Sequence, residues 1–192
     1  MDGRMADEVR SQMGLDLEQA GAGRVLPGRG EAARGAGGAG ADGGGERGVG
    51  EKVAFFVPGP PVGKGRPRAF RMGKGVRMFT PEKTASYESL VATSGHAAME
   101  GRAPFSGACE AVMEIRLQVP ASWSKKRQAM ALDGGLRATK KPDVDNVVKA
   151  VFDALNGIVW QDDVQVVALA VLKRYASTPG VCVVVKPMEG GE

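Results

Sequence analysis

From Lys52 onward, apolar residues fall into short stretches whose spacing fixes what each can form. Val53-Ala54-Phe55-Phe56-Val57 is an unbroken apolar run, which predicts a buried strand stopped by Pro58-Gly59-Pro60-Pro61. A glycine- and base-rich loop follows to about Met78. Thr80-Pro81 predicts a helix start, with Thr80 as N-cap and Pro81 in the first helical position; this helix runs to about Met99 and ends at Gly101. Residues 108–119 alternate, with Ala111, Met113, Ile115, Leu117 and Val119 on one face and mostly Glu110, Glu114, Arg116 and Gln118 on the other, so a half-buried strand is expected. Ser122 or Ser124 caps a short helix through about Leu132, ended by Asp133-Gly134-Gly135. A second main helix is predicted over Val144–Asn156, stopped by Gly157. After the apolar run Ile158-Val159-Trp160, Val164–Arg174 and Val181–Lys186 predict two strands separated by Ser177-Thr178-Pro179-Gly180. This order implies an α/β (α+β) fold, a single compact domain with helices packed on a mixed β-sheet.

Residues 1–50 break the pattern. They hold about half of the chain's 29 glycines, concentrated in Gly35-Ala36-Gly37-Gly38-Ala39-Gly40 and Gly43-Gly44-Gly45. Such a stretch costs the most backbone entropy to order and offers little apolar surface in return. Val9, Met13 and Leu17 share one face of a short helix over Asp7–Ala20, but the segment as a whole reads as a disordered tail or an upstream extension. The folded domain is therefore expected over 51–188.

Charge sharpens the division. The formal net charge is +4; six arginines face eight acids in residues 1–50, whereas Lys and Arg outnumber acids in the rest. Lys64, Arg66, Arg68, Arg71, Lys74, Arg77 and Lys83 have only Glu82 as a nearby acid. A field of that density attracts polyanions, although a solvated surface loop has the same composition. No apolar stretch reaches the roughly 18–20 residues a membrane span needs, and the N-terminus lacks the basic-then-apolar order of a secretory signal. A cytoplasmic protein without a membrane partner is expected. Cys109 and Cys182 sit in strand-like runs without metal-ligand spacing and read as reduced core residues.

The candidate chemistry lies at the start of the second main helix. Asp145, Lys149 and Asp153 fall at i, i+4 and i+8 on its polar side, beside an apolar stripe of Val144, Val148, Val151, Phe152 and Leu155. Asp143 sits at the entrance, where the helix dipole favours a carboxylate. Two carboxylates one residue apart repel each other unless a cation lies between them, and Mg²⁺ prefers such oxygen ligands. An isolated Asp-x-Asp reads more readily as helix capping, with Asp143 or Asp145 accepting backbone N–H bonds. Three features favour the metal: Lys149 one turn on, where an ammonium can stabilise phosphate charge; Asp162-Asp163, which returns a carboxylate towards the helix start; and the basic loop.

Together, Lys141-Pro142-Asp143-Val144-Asp145-Asn146-Val147-Val148-Lys149, Phe152-Asp153-Ala154-Leu155-Asn156-Gly157 and Trp160-x-Asp162-Asp163-x-Gln165-Val166 closely resemble the RusA family of Holliday-junction resolvases. The resemblance runs from about Val53 to Val185. It includes Pro60-Pro61 with the basic loop, and Thr80-Pro81-x-Lys83-Thr84-x-x-Tyr87 as in many phage-borne members. It implies a homodimer that binds four-way or branched DNA and makes paired symmetric nicks in recombination and repair, with Mg²⁺ or Mn²⁺ and no nucleotide cofactor. Asp143, Asp145 and Asp163 match the family's metal-binding catalytic aspartates, and Lys149 its essential lysine. Asp162 remains an alternative to Asp163. Asn146 and Asp153 are expected to cap or support, and Gln165 to orient a carboxylate. The seven basic residues from Lys64 to Lys83 are expected on DNA. In-line attack of water on phosphorus would follow, with the cation neutralising non-bridging oxygens.

Other features narrow the field. His96 is the single histidine, which excludes histidine-based metal sites and Ser-His-Asp triads. Gly63-Lys64-Gly65 lacks a P-loop ending and reads as a flexible contact to the DNA backbone, or a plain surface loop. Trp123, before Lys125-Lys126-Arg127, reads as a base-stacking residue or as packing at a helix entrance, and Trp160 as core. Two rival classes share parts of this pattern: a glycosyltransferase holding a nucleotide diphosphate through Asp-x-Asp, for which the domain is small, and a catalytically silent DNA-binding module. A general branched-DNA nuclease is the nearer alternative.

Overall fold

A computed structural model describes residues 52–65, 68–72, 75–79 and 81–188. The expected tail, with its candidate helix over Asp7–Ala20, lies outside them. The elements in chain order are β1 (Val53–Pro58), β2 (Arg68–Met72), β3 (Gly75–Phe79), α1 (Glu82–Met99), β4 (Cys109–Gln118), α2 (Lys125–Leu132), α3 (Val144–Leu155), a 3₁₀ turn (Asp163–Gln165), β5 (Val166–Ala176) and β6 (Gly180–Pro187). The segment read as a loop to Met78 instead contains an antiparallel hairpin, with Arg68 opposite Phe79 and Met72 opposite Gly75.

The main sheet has the order β1-β6-β4-β5. β6 pairs antiparallel with β1 and β4, whereas β5 runs parallel to β4, with Met113 opposite Val171. Parallel neighbours need a crossover of a dozen or more residues, and α2 and α3 occupy that connection. β6 is central, which explains the unbroken Val181-Cys182-Val183-Val184-Val185: both of its faces are buried.

One sheet face packs on the helices. Val57, Val181, Val183, Met113 and Ile115 join Val91 of α1 and Val147, Val151 and Leu155 of α3 in the core. α1 and α3 also pack against each other, close enough that a Cβ on Gly95 would lie 2.7 Å from Leu155 Cδ2. The stripe expected on α3 is displaced: Val147, Ala150, Val151 and Leu155 are buried, while Val144, Val148 and Phe152 are half-buried. Each fully buried valine or leucine contributes roughly 1.5–3 kcal/mol. Trp160 is fully buried as expected, its indole N–H donating to Asn156 Oδ1 at 2.7 Å.

Element ends differ modestly from the sequence reading. α1 begins at Glu82 with Pro81 at its N-cap, one residue later than expected, and closes through left-handed Glu100 and Gly101. Ser124 caps α2, accepting from the Arg127 N–H. β4 is more buried than a half-exposed strand, because Val112 and Glu114 on its second face are also below a tenth exposed. Cys109 and Cys182 are buried and unpaired; burial pushes both thiols up, Cys182 to about 11. No helix among the described residues is long and apolar enough to cross a membrane.

Candidate active site

α3 enters from a stretch held by the neighbouring edge strand. Lys173 of β5 donates its ammonium to the carbonyls of Lys140 and Pro142, 3.0 Å to each. This fixes the approach to Asp143, which occupies the N-cap with extended backbone. The Asp143 side chain makes no cap hydrogen bond and accepts from Asn146 Nδ2 at 3.5 Å.

Half a turn further, the helix opens on a cleft of ≈ 710 Å³ lined by Val144, Asp145, Val148, Lys149, Phe152, Asp163, Leu169 and Val171. The i, i+4 spacing places the Asp145 carboxylate and the Lys149 ammonium on its wall, both exposed. Asp163 comes from the 3₁₀ turn that returns the chain towards α3. Asp143 is not among the lining residues.

The turn is shaped by its own side chains. Asp162 Oδ1 accepts from the Val164 N–H at 3.0 Å, and Gln165 Oε1 accepts from the N–H groups of Gln161 and Asp162 at 2.8 and 3.0 Å, completing a capping box. The Gln165 amide also donates to the carbonyls of Phe105 and Gly107, both at 2.9 Å. Gln165 therefore orients the backbone that presents Asp163 and bonds to no carboxylate in the structure. Asp162 is occupied as a cap, while Asp163 is among the residues lining the cleft. Burial, then the charges of Asp162 and Asp153, push the Asp163 carboxyl above its ordinary range.

Among the described residues, no three Asp, Glu, His or Cys side chains converge as a ready-made metal cage. The cleft supplies two carboxylates, Asp145 and Asp163. That set suits a hard cation of the Mg²⁺ type, which is often held by one or two carboxylates, with water and substrate phosphate completing its shell.

The basic residues divide. Arg66 and Lys74 lie outside the described residues, Arg68, Arg71 and Arg77 belong to the hairpin strands, and Lys83 is exposed on the first turn of α1. Lys64, expected on DNA, has its ammonium 2.6 Å from Glu88 Oε1 and 2.7 Å from Asp153 Oδ2. Burial opposes its charge, but the two carboxylates outweigh that and raise its pKa. Asp153 thus pairs with Lys64. The segment read as a flexible loop is docked, with the Lys64 N–H donating to the Asn146 carbonyl at 2.8 Å. Trp123 packs edge-on against Tyr175 at 5.3 Å, beneath Arg127 at 4.2 Å, which favours the packing reading. His96 is exposed.

The sequence reading missed Lys173 and the buried Glu114, whose carboxylate is bound by Arg174 and Arg116. A lysine on the core-facing side of an apolar strand was a visible signal for the first.

The family model described as Endodeoxyribonuclease RusA matches residues 58–186. The chain is also 41% identical over 142 residues to "Uncharacterized protein YqaN" of Bacillus subtilis (strain 168), covering 70% of this chain and 95% of that protein.

Proposed function

The chain belongs to the RusA family of endodeoxyribonucleases, and on that premise we propose that it resolves four-way DNA junctions by Mg²⁺-dependent paired nicking. The observation that carries this reading is the convergence of Asp145, Lys149 and Asp163 on one cleft. Asp145 and Asp163 would hold the cation, with Asp143 at the helix entrance as the third carboxylate for it. When bound, the cation neutralises phosphate charge and acidifies water. Lys149 pairs its ammonium with a non-bridging oxygen of the scissile phosphate and stabilises charge as it builds in the transition state. Gln165 and Asp162 hold the Asp163 turn in place, so little reorganisation is needed when DNA arrives. Symmetric cutting of opposed strands calls for two such clefts, hence two copies of the chain.

A synthetic four-way junction and a linear duplex of the same sequence, each incubated with Mg²⁺, test the reading. Wild type should cut the junction in preference to the duplex. Asp145→Asn should bind the junction at least as tightly but cut it at least ~10²-fold more slowly, equivalent to about 2.7 kcal/mol. Equal cutting of both substrates would make the protein a general nuclease. Full cutting by the Asn variant would remove Asp145 from the chemistry, and binding without cutting by wild type would leave a DNA-binding module.

A further inference from the structure

The strap between β1 and the hairpin crosses the beginnings of both long helices. The Lys64 N–H donates to the Asn146 carbonyl of α3 at 2.8 Å, and the Gly65 N–H to Thr84 Oγ1 of α1 at 3.2 Å. There is no room for side chains on either side of Lys64. A Cβ on Gly63 would lie 2.9 Å from Asn146 Cβ, and one on Gly65 2.8 Å from Pro81 Cγ. The Lys64 side chain, 24% exposed, then reaches Glu88 on α1 and Asp153 on α3 together. Its charge is divided between two carboxylates, which leaves little for a phosphate.

We propose that Lys64 is a positioning residue: it ties α1 and α3 to the strap from which the arginine-bearing hairpin grows, and so fixes that hairpin in register with the Asp145–Lys149–Asp163 cleft. The inference rests on the nuclease reading above. Asp153 lies eight residues beyond Asp145 on the same helix, about 12 Å along its axis. The hairpin starts only four residues after Lys64, within roughly 14 Å of extended chain. Without the Lys64 side chain the strap keeps only its main-chain bonds to Asn146 and Thr84, and the base of the hairpin can shift relative to the cleft. Misplacement by about 1 Å is enough to slow chemistry markedly.

Full-length Lys64→Met, Lys64→Arg, Asp153→Asn and the triple Lys64→Met/Glu88→Gln/Asp153→Asn are compared with wild type on the four-way junction. The measurements are kcat, KM, the salt dependence of junction binding, and amide exchange at Lys64 and Gly65. Lys64→Met should lower kcat about tenfold or more, speed exchange at both amides, and leave the slope of log affinity against log salt unchanged. Lys64→Arg should regain most of the loss. The triple variant should stay as slow as Lys64→Met, because removing the two acids does not restore the tether. A salt slope reduced by about one would identify Lys64 as a direct phosphate contact and overturn the proposal. Wild-type kcat in the triple variant would reduce the role to charge balance, and unchanged kcat or exchange in Lys64→Met would also overturn it. If Lys64→Met fails to fold, Asp153→Asn, which keeps the Lys64–Glu88 pair, is read against the same outcomes. A wild type that does not cut the junction fails the nuclease reading alone, since the exchange measurement judges the tether without cleavage.

Discussion

Glu114 lies in the middle of β4 with 1% of its surface exposed, on the sheet face away from α1 and α3. Burial drives its carboxyl pKa up, but hydrogen bonds and charge from Arg174 and then Arg116 outweigh this and hold it below the ordinary 4.5. A depressed folded-state pKa stabilises the protein above the unfolded value, and that contribution disappears as pH falls through the folded value. Thermal melting of wild type should therefore weaken as pH drops below about 4.5, whereas Glu114→Gln should lack that part of the acid dependence. At pH 7, Glu114→Ala should cost near the lower end of the ~3–5 kcal/mol typical of a broken buried pair, because both guanidinium groups keep some access to water. A melting curve for the Gln variant with wild-type acid dependence would exclude Glu114 as its source. At this scale the sequence was partly legible. Asp145 and Lys149 share a cleft because helical spacing dictates it, and Asp163 was readable as a return. The distant partners of Glu114 and Lys64 were not, because Arg174 is 60 residues from Glu114 and Glu88 is 24 from Lys64, separations that only the fold closes.

Elements with clean periodicity were readable almost to their ends, as α2, α3 and β4 show. The hairpin was not, because glycines and arginines masked two five-residue strands whose apolar content is Ala69-Phe70, Met72, Val76 and Met78-Phe79. α3 shows a subtler limit. Val144, Val148 and Phe152 are apolar without being core, because the cleft borrows one side of the stripe. The crossing of α1 over α3 depends on Gly95. An Ala there would gain about 1 kcal/mol of helix propensity, yet its Cβ would meet Leu155 in a packed core, where overpacking costs typically 1–3 kcal/mol. Gly95→Ala should therefore come out destabilising by up to about 2 kcal/mol in denaturant titration. A gain in stability would mean that the helices separate without cost.

Over the whole molecule, strand order was beyond sequence patterning. Nothing in the run of Val181 to Val185 says that the last strand inserts between β1 and β4. Glycine content places the expected domain start near residue 51, and the family match begins at residue 58. A chain beginning at Glu51 should accordingly melt within a few degrees of the full-length protein and retain its junction cleavage, as differential scanning calorimetry and the cleavage assay would check. A large loss of either would assign residues 1–50 a structural or substrate-binding part. The pairing of Val53 with Val185 puts the first and last strands side by side, on the half of the sheet away from β5 and the cleft. In topological terms the domain is nearly a closed loop. It can be grafted into a longer polypeptide, or its ends sewn together and a new opening cut elsewhere, through a single seam distant from Asp145 and Asp163.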